Sequence, residues 1–143
     1  MADDAFATFL ADYGRAWSSG EEQELRRVFT DDAVYVEGGM HNDYEGLPEV
    51  LRFFRFMLTF SADSTIEFRD VMHDEEQFVA EWVWSGTADG PLKLGPDVLP
   101  AAGKQYAVEG VAVCRFGEDG KVAYHKDYYN VLDLVGQLGL GHN

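Results

Sequence analysis

The sequence predicts an α+β domain, on three observations. Apolar residues recur at helical spacing early in the chain, the second half breaks into strand-like segments, and polar turns separate those segments. Phe6, Phe9, Leu10, Tyr13 and Trp17 share one helical face, which predicts an amphipathic helix over about 4–18, stopped by Ser18-Ser19-Gly20. Leu25, Val28 and Phe29 predict a short second helix over roughly 21–30. The acidic pair Glu21-Glu22 stands at its electropositive start. Asp31-Asp32 then turns the chain into Ala33-Val34-Tyr35-Val36-Glu37, whose β-branched and aromatic residues favour a strand, and Gly38-Gly39 breaks it. A loop through Tyr44 and Glu45 leads to Gly46-Leu47-Pro48-Glu49, which opens a third helix ending near Phe60. Proline is tolerated there because a first-turn N–H has no partner within the helix.

Strands follow. Thr65–Met72 and Gln77–Ser85 flank the polar turn His73-Asp74-Glu75-Glu76, a hairpin pattern. The stretch 86–103 holds three of the four prolines and reads as a loop. Lys104–Phe116 and Lys121–Asn130 flank Glu118-Asp119-Gly120, a second hairpin turn, and Val131–Leu140 closes the chain as a short helix. No repeat or linker interrupts residues 1–143, so one domain is expected, with helices on one face of a strongly curved antiparallel sheet.

Composition limits the function classes. A chain of 143 residues that is 46% hydrophobic fills a core without disulfides. Its 26 acidic and 11 basic side chains give a net charge of −15, which repels nucleic-acid backbones and anionic lipid surfaces. Cys114 is the sole cysteine, and His41, His73 and His142 are scattered without metal-ligand spacing, so no metal is expected. The acidic start Met1-Ala-Asp-Asp lacks the charge of a signal peptide, and no apolar run approaches a membrane span; a cytoplasmic protein is expected.

Three joints carry a family resemblance: Tyr13-Gly-Arg-Ala-Trp-Ser-Ser-Gly20 with Leu25, Phe29 and Asp31-Asp32-Ala33; Tyr44-Glu45-Gly46 before the third helix; and Asp119-Gly120-Lys121-Val122 leading to Asp127-Tyr128-Tyr129 and Gln137-Leu138-Gly139-Leu140. In this order, from about Phe6 to Leu140, the chain resembles the nuclear transport factor 2-like superfamily. It looks most like the SnoaL-like polyketide cyclases, with ketosteroid isomerases and limonene epoxide hydrolases as relatives. The resemblance implies a cone of three N-terminal helices packed on a curved antiparallel sheet. The fold hosts isomerases, dehydratases, cyclases, hydrolases and non-catalytic binders, so function must be argued from the site.

Strand parity sorts the polar residues. Tyr35 and Glu37 share one face of the first strand; His125, Asp127 and Tyr129 share one face of the last. The resemblance implies that the His125 set faces the cavity. It also implies that Glu37 matches the proton-moving carboxylate of ketosteroid isomerases, Tyr13 their enolate-binding phenol, and Tyr35 a residue that holds the attacking water of epoxide hydrolases. Asp127 matches an acid/base aspartate of those hydrolases and lies where the polyketide cyclases have their proposed base. A carboxylate in an apolar, aromatic-lined pocket loses hydration, its pKa rises, and it can shuttle a proton at carbon beside a carbonyl while Tyr or His steadies the oxyanion. Such chemistry requires no cofactor.

Each residue has a plainer alternative: Tyr13 as core, Glu37 as a solvated strand end, His125 as an orienting or core residue, and Asp127 as an exposed partner of Lys126 or Arg115. There are also departures from the relatives. Where epoxide hydrolases have an arginine and a second aspartate, this chain has Trp82 and Trp84, and where bacterial ketosteroid isomerases have a protonated aspartate it has Ala112. The expected wall is Trp82, Trp84, Tyr129, Phe54 and Met57, with Ala112 beside it, a pocket for a sizeable flat hydrophobic molecule. Two classes follow: an acid/base enzyme, with aldol-type cyclisation leading, isomerase or dehydratase chemistry behind it and an epoxide hydrolase or epoxide-opening cyclase as a further alternative, or a non-catalytic small-ligand-binding or dimeric interaction module. The alternate parity of Lys104–Phe116 puts Val111 and Val113 on the outer sheet face, where a second copy of the chain would cover them, so a homodimer is expected.

Overall fold

The computed structural model describes residues 3–94 and 96–139; Leu140 and His142 of the sequence reading lie outside the described residues. Helix α1 (Asp3–Ser18) buries Phe6, Tyr13, Ala16 and Trp17 on one stripe, as its spacing predicts. Helix α2 (Glu22–Val28) is shorter than expected, because Phe29 already belongs to strand β1 (Phe29–Glu37). The segment read as a loop at Tyr44-Glu45 is a short strand, β2 (Asn42–Glu45), paired antiparallel with β1 so that Tyr35 faces Tyr44. Helix α3 (Leu47–Phe60) begins with the expected proline in its first turn.

Strands β3 (Thr65–His73) and β4 (Gln77–Thr87) form the first hairpin. His73 belongs to β3 rather than to the turn, where its ring stacks on Phe6 at 4.0 Å. The turn is closed by the Asp74 carboxylate, which accepts the backbone N–H groups of Glu76 and Gln77. Within the stretch read as a loop, Leu92–Leu94 (β5) and Asp97–Leu99 (β6) pair as a two-stranded sheet of their own. Strand β7 (Gln105–Phe116) turns through a short 3₁₀ segment, Glu118–Gly120, into β8 (Val122–Tyr129), and α4 (Val131–Gln137) closes the described chain.

The main sheet runs β2-β1-β8-β7-β4-β3. It is not wholly antiparallel, because β1 and β8 run parallel with Tyr35 beside His125 and Glu37 beside Asp127. This pairing decides the position of the site: it sets the two same-face pairs read from strand parity side by side. The expected Gly38 break has a steric reason. Its N–H donates to the Asp127 carbonyl at 2.9 Å, and a Cβ at this position would lie 2.1 Å from that oxygen. Helix α1 packs on β3, α3 on β1 and β2, and α4 on β7, so helices cover one sheet face. Between them lies a core whose largest fully buried members include Tyr13, Phe6, Phe29, Phe54 and Phe78.

Candidate active site

The interior face of the sheet follows period two. On β4, Phe78, Ala80, Trp82 and Trp84 are buried, and on β7, Tyr106, Val108, Ala112 and Cys114. Where these strands meet β1, β8 and helix α3, a cavity of about 270 Å³ remains. Its walls are aromatic and aliphatic: Trp17, Phe53, Phe60, Phe68, Trp82 and Trp84 among others. Its floor carries Tyr35, Glu37, His125, Asp127 and Tyr129.

Asp127 stands at the centre of the floor. Its Oδ1 accepts the Trp82 indole N–H at 2.9 Å and the His125 Nε2–H at 2.7 Å, while the Tyr35 hydroxyl donates to Oδ2. Three side-chain donors on one buried carboxylate fix its rotamer. Burial pulls the His125 pKa down, but the adjacent Asp127 charge and hydrogen bond outweigh it and push the imidazole up to about 10. That direction favours the imidazolium, and Nδ1 is hydrogen-bonded to the Tyr13 hydroxyl at 2.6 Å, with the Cys114 sulfur 3.3 Å away. Burial, reinforced by Asp127, raises the Tyr35 phenol well above its ordinary value, so Tyr35 remains a donor.

Glu37 differs. It too is buried, at 3% exposure, and its oxygens accept the backbone N–H groups of Gly39 at 3.0 Å and Met40 at 2.9 Å. Burial raises its pKa, and the bonds from Tyr129, Met40 and Gly39 recover only part of that shift. The chain folds back over Glu37 here because Gly39 has no side chain: a Cβ would stand 2.5 Å from the Tyr129 ring and 2.9 Å from the Glu37 carboxylate. Two carboxylates thus sit side by side in different environments, one bound by three side-chain donors and the other buried and pushed toward its neutral acid. Such a separation divides acid and base roles within one site.

Most of the residues anticipated from sequence meet here: Asp127, Glu37, His125, Tyr35, Trp82, Trp84, Tyr129 and Met57 all line the cavity. Three do not. Tyr13 is fully buried behind His125, packed among Phe9, Phe29 and Phe68, and its hydroxyl is engaged by Nδ1. Phe54 faces the body of the core against Trp17. The residues of α3 that line the cavity are instead Phe53, Phe56, Met57, Thr59 and Phe60. Ala112, between Ala80 and Asp127 in the sheet, is fully covered and too short to reach the lumen. The exposed-ion-pair alternative for Asp127 fails, since its partners are His125, Trp82 and Tyr35. The solvated-end alternative for Glu37 fails on burial. Met40, Phe56, Pro91, Leu92, Lys93 and Val98 also line the cavity and were missed from sequence. Among the described residues no cluster of three His, Cys, Asp or Glu is placed to hold a metal ion.

The profile of the SnoaL-like domain matches residues 10–125, most of the chain and nearly all of this framework. The chain belongs to the SnoaL-like domain family. No curated protein sequence matches it. Among solved structures, this SnoaL-like chain is similar to TsrD from Streptomyces laurentii, with a TM-score of 0.80 at 22% identity over 97% of this chain and 98% of that one. It is similar also to a protein of ketosteroid isomerase-like fold from Catenulispora acidiphila, with a TM-score of 0.77 at 16% identity over 93% of each chain. IdmH from Streptomyces antibioticus, a candidate polyketide cyclase, gives 0.75 at 20% over 94% and 98%. At these identities the likeness is one of fold, and it bears out the cone expected from the sequence. No helix of the described SnoaL-like domain is long and apolar enough to cross a membrane.

Proposed function

We propose that this SnoaL-like domain catalyses proton transfer at carbon beside a carbonyl, on a flat hydrophobic molecule, and that aldol-type cyclisation is the reaction it serves. The observation that carries this reading is the adjacency of Asp127 and Glu37 on the floor of an apolar cavity, the first bound by three side-chain donors and the second raised toward its neutral form. In the proposed sequence Asp127 accepts the proton of a C–H next to a carbonyl, leaving an enolate. The enolate carbon bonds to a second carbonyl carbon, and the alkoxide so formed takes a proton from the neutral acid of Glu37. Proton return from Asp127 to Glu37 restores the site, with no change of oxidation state and no group required beyond the chain's own side chains. The aromatic walls exclude water and orient the ring system. Among relatives of this fold, IdmH is named as a candidate polyketide cyclase, which agrees with this substrate class.

A test needs no knowledge of the natural substrate. 2-Tetralone is flat, apolar and carries an acidic C–H beside its carbonyl. The protein is expected to accelerate hydrogen–deuterium exchange of 2-tetralone in D₂O, followed by NMR, above the rate set by buffer alone. Binding of 2-tetralone without acceleration would remove the catalytic reading and leave a small-ligand binding module.

We also propose that two copies pair through the outer sheet face. Val111 and Val113 are half-buried there, and Tyr128 on the neighbouring strand is 51% exposed. Light scattering at micromolar concentration is expected to report twice the 16.0 kDa chain mass; a monomer refutes the pairing.

A further inference from the structure

The charged groups of the cavity are distributed unevenly. On the floor, the Asp127 carboxylate is hydrogen-bonded by His125, and Glu37 is buried and pushed toward neutrality. An anionic group carried by a ligand has no place beside those two carboxylates. Among the described lining residues the other base is Lys93, on β5 of the separate two-stranded sheet. Among the described residues no carboxylate lies within ion-pair distance of its ammonium. The ammonium instead sits 4.8 Å from the centre of the Phe56 ring, itself part of the lining. A lysine parked on an aromatic face at a cavity rim keeps its charge available at the opening.

The element that presents it is built as a flap. The β5–β6 pair bonds to itself and not to the main sheet, and it is tied at its base by Ala88 N–H to the Lys104 carbonyl and Gly103 N–H to the Ala88 carbonyl. Pro91, Leu92 and Val98 of the same flap line the cavity beside Lys93, and Val98 is 59% exposed, an apolar rim next to a cation.

We propose that Lys93 selects an amphiphilic ligand: an apolar ring system that enters the cavity and an anionic group, a carboxylate, that remains at the rim against the ammonium. This rests on the cavity being the ligand site and deepens it by naming the substrate class as a flat aromatic or polycyclic acid. The reacting carbon then faces Asp127 and Glu37 while the acid stays at the flap, so Lys93 also fixes which end of the molecule enters first.

The experiment compares 2-naphthoate with 2-naphthamide, near-isosteric probes that differ in charge. All three tryptophans, Trp17, Trp82 and Trp84, line the cavity, so intrinsic fluorescence reports occupancy directly. At low salt the wild-type chain is expected to bind naphthoate about fivefold more tightly than naphthamide, the scale of a partly exposed ion pair, with the preference shrinking as salt rises. Lys93→Met keeps an apolar stem on Phe56 and is expected to abolish the preference; Lys93→Glu is expected to reverse it. Equal wild-type binding of the two probes, or a preference that survives Lys93→Met, overturns the role of Lys93 while leaving the cavity reading intact. Failure of both probes to bind overturns the two together.

Discussion

The floor and the mouth of the cavity are built by opposite means. At the floor, polar side chains from β1, β4 and β8 converge on one carboxylate, with Tyr13 of α1 behind His125, and most of the bonds join residues distant in sequence: Tyr13 to His125, Tyr35 to Asp127, Trp82 to Asp127. At the mouth, Met40, Met57, Leu92 and Val98 offer apolar surface with almost no hydrogen bonding, and part of that surface belongs to a flap outside the main sheet. A reacting group must be held to a fraction of an ångström, which needs a network of directional bonds on rigid elements, whereas a rim that admits ligands needs area and tolerance. The floor is therefore where substitutions should change rate, and the mouth where they should change binding.

The sharpest break of that division is Asp127→Asn. Loss of a positioned acid or base lowers rate by about 10²–10⁴-fold. The amide retains the shape and an oxygen for the Trp82 and His125 donors, so the fold should survive. Exchange on 2-tetralone should fall to that extent while the thermal melt stays cooperative. Unchanged exchange would remove Asp127 from the chemistry, and a collapsed melt would make it a structural partner of His125.

Glu37→Gln comes next. As the proposed proton donor, Glu37 should matter mainly to turnover on a cyclising substrate or to exchange, with a loss of at least about tenfold and little change in probe affinity. Its raised pKa adds a stability signature. The fold favours the neutral acid, so as pH rises past the ordinary carboxylate value the wild type loses stability until the folded-state pKa is reached. Glutamine does not titrate, so the difference in melting temperature between the Glu37→Gln variant and wild type should drift in favour of the variant as pH rises above about 4.5. A difference independent of pH would show that Glu37 is not desolvated.

His125 works in a higher window. Its folded pKa stands near 10 against an unfolded 6.5, so its contribution is fully present below 6.5 and is lost as pH climbs toward 10. The loss is at most about 1.4 kcal/mol per pH unit. Melts of the wild type between pH 6.5 and 10 should show this decline, and His125→Gln should flatten it. A flat wild-type profile would mean a neutral imidazole accepting the Tyr13 hydroxyl proton.

The two regions were also unequally legible in the sequence. The floor could be read because a strand alternates: Tyr35 with Glu37, and His125 with Asp127 and Tyr129, follow from parity alone, and the two tryptophans of β4 obey the same rule. What parity does not supply is which strands are neighbours, so the parallel β1–β8 pairing that joins those two sets was not foreseen. Nor was the rotation of α3, where Phe53 and Phe54 are both apolar and differ by about 100° around the axis. The mouth was hardly legible. Its β5 and β6 strands are three residues each, inside a stretch rich in glycine and proline, and local preference there favours a loop. Tyr13 was singled out for the wrong position: its helical stripe is real, but Tyr13 meets His125 while Trp17, one turn on, reaches the lumen.

The smallest expected effect tests the mouth itself. Met57 on α3 lines the cavity and is half-buried, makes no hydrogen bond through its side chain to the floor, and its loss should not move Asp127 or Glu37. Met57→Ala removes apolar wall at roughly 0.8 kcal/mol per buried methylene, discounted because the thioether already meets solvent on one side. Affinity for 2-naphthamide, read from tryptophan fluorescence, should weaken about two- to fivefold. The exchange rate of 2-tetralone at saturation should remain within about twofold, because the catalytic distances are set by bonds among β1, β4 and β8 rather than by the helix wall. A fall in the saturated rate larger than the fall in affinity would mean that the wall positions the reacting carbon as strongly as the floor does, and the separation of the two regions would fail on that measurement.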